Sequence, residues 1–79
     1  MKIVSWNVNG VRAITKKNFF ADFEEMNPDI LCLQETKAQD DQVLEALEPI
    51  NGYHIYPYSA ERKGYSGTAI LSKEKPMNI

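Results

Sequence analysis

A chain of 79 residues has room for one small domain, and such a domain buries only roughly 60 to 65% of the surface its unfolded form exposes. With 43% hydrophobic and 25% charged residues the composition is that of a globular protein, and the single cysteine, Cys32, excludes an internal disulfide and a cysteine-built zinc site. A net charge of −2 does not by itself suggest a nucleic-acid binder, although cations cluster at Arg12, Lys16 and Lys17, at Arg62 and Lys63, and at Lys73 and Lys75. That clustering reads either as a local basic edge or as ordinary solvated surface charge.

The first element is "KIVSWNV", residues 2 to 8, in which Ile3, Ser5 and Asn7 alternate with Val4, Trp6 and Val8. Apolar residues on both faces predict a strand covered on both sides, and "NG" at 9 and 10 signals the turn that ends it. From about Arg12 to Met26 the apolar residues Ile14, Phe19, Phe20, Phe23 and Met26 fall at helical spacing, and "NPD" at 27 to 29 stops that helix. "ILCLQE" (30 to 35) is a second strand of buried type, again turning polar at its end. Strand, helix and strand over this length match a right-handed parallel crossover.

"AQDDQVLEALEP" predicts a short helix with Asp40 or Asp41 as N-cap and Pro49 as stop. "GYHIYPYSA" and "SGTAILSK" are two further strands joined by the charged turn "ERKGY". The resulting α/β order is β-α-β-α-β-β. Its helices are too few to cover both faces of a four-stranded sheet, so a partner surface is expected. Cys32, in an apolar run, is expected to be buried and suits a reducing, cytoplasmic location. No secretory leader or membrane-spanning run is read in these residues.

Asn7 and Glu35 close two strands that a crossover makes parallel, so both emerge at one edge of the sheet. A carboxylate beside a carboxamide is a hard oxygen environment suited to Mg²⁺, which keeps several waters and needs only one or two carboxylates. Against this stands a surface acid beside a turn-capping amide. Arg12 and Lys17, just past the turn, either neutralise phosphates or form a solvated helix face. Tyr65, between the glycines of "GYSG", either stacks on a sugar or base or is the aromatic partner in a hairpin. His54 and the tyrosines at 53, 56 and 58 read as half-buried strand residues, with no nucleophilic partner beside the histidine.

Three segments, "IVSWNVNGVRA" (3 to 13), "DILCLQETK" (29 to 37) and "KGYSGTAILSK" (63 to 73), resemble the first three blocks of the exonuclease III and class II AP-endonuclease family. That family belongs to the endonuclease/exonuclease/phosphatase superfamily, and the resemblance extends over essentially the whole chain. It implies a four-layer α/β-sandwich of which residues 1–79 form the N-terminal part, the second sheet lying outside them. It also implies Mg²⁺-dependent (or Mn²⁺-dependent) hydrolysis of double-stranded DNA at abasic sites or from 3′ ends.

Carried over by position, Glu35 resembles the family's metal-binding glutamate and Asn7 the asparagine beside it that helps orient metal and phosphate. Arg12, Lys17 and Tyr65 match positions that touch the DNA backbone. Asn9 stands where some relatives have an aspartate. The family's Asp-x-Asn and Ser-Asp-His-type motifs do not occur in these residues, and His54 does not match the catalytic histidine. The expectation is therefore the N-terminal part of a repair nuclease, inactive by itself. The alternatives are a non-catalytic truncated homologue that self-associates through its uncovered sheet, and a phosphoesterase of the same superfamily with another substrate.

Overall fold

Alternation of β-branched and aromatic residues with small polar ones gives β1 (Ile3–Asn7) one apolar face. Val4 and Trp6 turn inward while Ile3, Ser5 and Asn7 face out. The chain then forms α1 (Val11–Ile14), α2 (Phe19–Met26), β2 (Ile30–Gln34), α3 (Asp40–Ala46), β3 (His54–Tyr58) and β4 (Thr68–Ser72). This computed structural model describes residues 1–60 and 66–74. The "ERKGY" turn at 61 to 65, Tyr65 included, lies outside the described residues.

The four strands make one sheet in the order β1-β2-β4-β3. β1 and β2 are parallel, with Asn7 level with Gln34. β4 runs antiparallel to both β2 and β3, leaving β1 and β3 as the outer strands, and Pro57 lies within β3. Two faces follow from this register. Leu31, Leu33, Ala69 and Leu71 are buried against Val11, Phe19, Phe23, Val43 and Leu47 from the helical side. Trp6 stacks on Phe19 at 4.8 Å, and Phe23 meets Tyr53 edge-on at 4.9 Å. The Tyr53 hydroxyl donates to the Pro28 carbonyl at 2.5 Å, giving the half-buried phenol its partner.

The opposite face is left open by the described residues. It presents rows of Asn7, Gln34, Thr68 and Tyr58, then Ser5, Cys32, Ile70 and Tyr56, then Ile3, Ile30, Ser72 and His54. Ile3 is 63%, Ile70 45% and Tyr58 78% exposed there, so this face carries uncovered apolar residues among the described ones. The molecule's shortest dimension, 19 Å, is that of one sheet with one layer of helices.

Several expectations are corrected. The helix expected from Arg12 to Met26 is two helices: Lys16 and Lys17 donate to Ala13 and Ile14, tightening the end of α1, and a new helix starts after Asn18. It ends as "NPD" predicts, with Asn27 left-handed at φ 45° and its N–H on the Phe23 carbonyl. The N-cap of α3 is Gln39, whose N–H donates to Gln42 Oε1 at 2.9 Å, in place of Asp40 or Asp41. Asp40 instead accepts the Ser59 N–H at 2.7 Å. Cys32 is half-buried, and His54 and Tyr58 are exposed, because all three project from the open face.

Candidate functional site

The C-terminal ends of β1 and β2 lie side by side, and the polar residues that terminate them meet. β2 stops at Gln34, one residue earlier than "ILCLQE" suggests, because Glu35 adopts a left-handed backbone at φ 54°. Lys37 does the same at φ 52°, and Asn9 across from them at φ 45°. Non-glycine residues in this region cost on the order of 1–3 kcal/mol each and persist where their surroundings over-determine them. Here the surroundings are backbone hydrogen bonds from two sides. Gly10 and Val11 donate to the carbonyls of Glu35 and Thr36 at 2.8 and 2.9 Å. Thr36 and Lys37 in turn donate to the carbonyls of Gly67 and Ser66 at 3.1 and 2.6 Å. The segment 35–37 is thus laced between the turn after β1 and the approach to β4.

The side chains form a short relay. Asn7 Nδ2 donates to Glu35 Oε2 at 2.5 Å, and Asn7 Oδ1 accepts the Asn9 N–H at 3.0 Å, an Asx-type contact. Lys37 Nζ donates to Asn9 Oδ1 at 2.5 Å and lies 3.9 Å from Glu35 Oε1. Both Glu35 oxygens therefore face a donor or a cation, and one of the two, Oε1, makes no hydrogen bond among the described side chains. Asn7, by contrast, has its oxygen occupied by Asn9 and its nitrogen on Glu35, an arrangement that orients the carboxylate.

This donor set fits Mg²⁺ in chemistry: one hard carboxylate, partly exposed, at an edge open to water and to phosphate oxygens. Among the described residues no three His, Cys, Asp or Glu side chains come together, so the protein supplies few ligands, as that ion tolerates. Glu35 is the residue that would hold it.

Of the expected cationic contacts, Arg12 lies on α1 beside the site and donates from Nη2 to the Lys37 carbonyl at 3.3 Å. It shares a surface hollow with Gly10, Ala13, Lys16 and Lys37. Lys17 is exposed in the turn between α1 and α2 and does not line that hollow. Sequence reasoning did not single out Lys37, Thr36 or Lys16 as site residues. Their signal was present in "ETK" and "TKK", but periodicity does not report a left-handed backbone. His54 is on β3, in the row farthest from Asn7.

Comparison with known proteins places the chain in a family. Residues 4–79 match the model of the endonuclease/exonuclease/phosphatase family. The chain is 51% identical over 80 residues to an exodeoxyribonuclease of Bacillus subtilis, with all of this chain and 31% of that protein covered. It is 46% identical over 84 residues to the DNA repair nuclease APEX1 of Danio rerio, covering all of this chain and 26% of that one. Among solved structures, an AP endonuclease from Archaeoglobus fulgidus superposes with a TM-score of 0.81 at 35% identity, covering 99% of this chain and 29% of that one. The 3′ phosphatase NExo from Neisseria, bound to a product DNA hairpin, does so with a TM-score of 0.76 at 34% identity, covering 99% and 29%. The chain thus spans under a third of the length of these relatives. It belongs to the endonuclease/exonuclease/phosphatase family.

Proposed function

We propose that these residues are the N-terminal part of a single-domain, Mg²⁺-dependent DNA-repair nuclease that hydrolyses phosphodiesters at abasic sites or 3′ ends. The observation that carries this reading is the Asn7–Glu35 pair, held at the adjoining ends of two parallel strands beside Arg12 and Lys37. The names of the relatives, an exodeoxyribonuclease and a DNA repair nuclease, support the substrate class. Bound Mg²⁺ (or Mn²⁺) would supply Lewis-acid stabilisation of charge on the phosphate oxygens.

The chain's own residues then divide the work. Glu35 holds the ion, and Asn7 fixes the carboxylate by donating to Oε2. Arg12 and Lys17 neutralise backbone phosphates and set the strand's register without reading bases. Tyr65, outside the described residues, is proposed to touch the same backbone. The water-activating aspartate and the histidine of the family would come from further chain, whose second sheet would cover the open face to complete four layers. A cytoplasmic location suits the half-exposed, unpaired thiol of Cys32.

Incision of an abasic-site duplex tests this reading. The 79-residue chain is expected to show no appreciable Mg²⁺-dependent nicking. A protein that continues through the family's remaining motifs is expected to nick, and to lose about a hundredfold or more on Glu35→Gln. Preference of that longer protein for an inositol phosphate over abasic DNA would favour the phosphoesterase alternative.

The exposure of Ile3, Ile70 and Tyr58 favours one further reading for the isolated chain, association of two copies through the open face. Sedimentation at rising concentration is expected to show it, and a monomer at all concentrations would exclude it.

A further inference from the structure

Glu35 projects from a backbone that its own residue type disfavours, so something other than local preference sets its direction. The adjoining residue, Thr36, is fully buried, and its Oγ1 has no hydrogen-bond partner among the described residues. That oxygen lies where a side chain would leave Gly67: a Cβ built there would come within 2.5 Å of it, against 3.7 Å from the nearest atoms of Tyr58 and Ser59. Gly67 itself is at φ 93°, a conformation that L side chains rarely adopt. Thr36 N–H donates to the Gly67 carbonyl at 3.1 Å, so hydroxyl contact and hydrogen bond join the same two residues.

A buried, unpartnered hydroxyl is a cost that folded proteins rarely carry without compensation. Here it accompanies a close approach between the Glu35–Lys37 segment and the loop before β4, joined by hydrogen bonds from Thr36 to Gly67 and from Lys37 to Ser66. Thr36 cannot retreat from Gly67 without breaking its hydrogen bond there, or the one by which its carbonyl accepts from Val11. Moving either residue rotates the peptide that carries Glu35.

We infer that Gly67 is a positioning residue: because it carries no side chain, Thr36 and the backbone that bears Glu35 can sit against the loop before β4, and the carboxylate is left aimed at Asn7. The inference rests on the reading of Glu35 as the metal-holding group, and it extends the site to a third loop. An alanine at residue 67 would push Thr36 back, turn Glu35 away from Asn7 and leave the ion without an aligned carboxylate. Removing the Thr36 hydroxyl in the same molecule would restore the room.

The test uses the isotope-labelled 79-residue chain as wild type, Gly67→Ala, Thr36→Ala and the double variant. Two nuclear magnetic resonance readouts are taken. One is the Asn7 side-chain amide, shifted by its bond to Glu35, in the absence of metal. The other is the Mn²⁺ concentration that broadens the Glu35 amide. In Gly67→Ala the Asn7 resonance is expected at the free-amide position and the Mn²⁺ midpoint about tenfold higher, the scale on which ligand-orienting partners act. Thr36→Ala is expected to match wild type, and the double variant to recover both readouts.

An unchanged Asn7 resonance in folded Gly67→Ala overturns the inference. So does a double variant that is unfolded or keeps the displaced resonance, since backbone strain at residue 67 would then be the whole effect. If Gly67→Ala alone fails to fold, recovery of the Asn7 resonance in the double variant still supports it. Absence of Mn²⁺ broadening in wild type, with the Asn7 pattern as expected, would remove the metal reading and leave the positioning role standing.

Discussion

Lys37 stands between Asn9 and Glu35, with its ammonium hydrogen-bonded to the first at 2.5 Å and 3.9 Å from a carboxylate oxygen of the second. Both side chains of the ion pair are more than two-fifths exposed, so the pair contributes little to stability and its charge is screened. Its importance is local: a cation already occupies the neighbourhood in which a divalent ion would bind.

Removing that cation should therefore favour metal. Lys37→Met is expected to tighten Mn²⁺ binding by about threefold to tenfold at low salt, from the loss of repulsion between ammonium and dication across screened distances. Lys37→Arg should leave it near the wild-type value. Titration of the chain with Mn²⁺ at two ionic strengths checks this, and the difference should shrink at the higher one.

Thr36 offers a stability prediction free of metal. Its hydroxyl is buried without a partner among the described residues, so Thr36→Val, which keeps the shape and removes the polar atom, is expected to stabilise the chain by about 1 kcal/mol. Urea unfolding measures it. A loss of similar size would show that the hydroxyl is bonded in solution.

At the far end of the sheet Asp29 governs an acid-side dependence. The Lys2 backbone N–H donates to its carboxylate at 2.6 Å and is the chief cause of a pKa below the ordinary value, opposed by partial desolvation and aided by Lys73 and the N-terminal amine. A lowered folded pKa means the folded state binds the proton less readily than the unfolded one. The contribution is complete above the ordinary carboxylate range and is lost as the pH falls through that range to the lowered value. Thermal midpoints of wild type and Asp29→Asn should differ near neutral pH and converge in acid.

Tyr53 sets the opposite limb. Desolvation first, and the Asp29 charge second, raise its pKa above the ordinary tyrosine value. Its contribution is therefore full below the unfolded pKa and declines as the pH rises through the folded one. Tyr53→Phe is expected to abolish that alkaline decline, while losing the hydrogen bond to Pro28 at all pH values.

The core prediction is the most severe. Phe19 is buried and packs with Trp6, Phe20 and Phe23, so Phe19→Ala should cost about 3–5 kcal/mol. A domain of this size holds a margin of similar magnitude. Circular dichroism is expected to show a largely unfolded chain at 25 °C.

Much of this arrangement was legible in the residues themselves. The runs "IVSW" and "ILCL" announce strands because β-branched and aliphatic residues are dense there, and "NPD" announces a stop because proline lacks an N–H and restricts the residue before it. The nearness of Asn7 and Glu35 followed from parallel strands of equal register. What was not legible depends on dihedral angles. Nothing in "QETK" signals two left-handed residues flanking a buried threonine, because glutamate and lysine carry no local preference for that conformation. The break after Ile14 was hidden for a related reason: helical spacing from Phe19 onward masks a turn that backbone bonds to Ala13 and Ile14 create. Exposure of Cys32, His54 and Tyr58 depends on which face the helices cover, and among the described residues they cover the other one.

The two outer strands differ in one respect that gives the sheet a direction of growth. β3 contains Pro57, which has no N–H to offer a newcomer and so belongs on a rim where pairing stops. β1, "IVSWN", has no such residue, and each of its positions carries both a donor and an acceptor. A further strand can therefore be seeded on the Asn7 side of the molecule and is discouraged on the Tyr58 side. Any such extension would lie beside β1, one strand removed from β2 and the Glu35 that follows it.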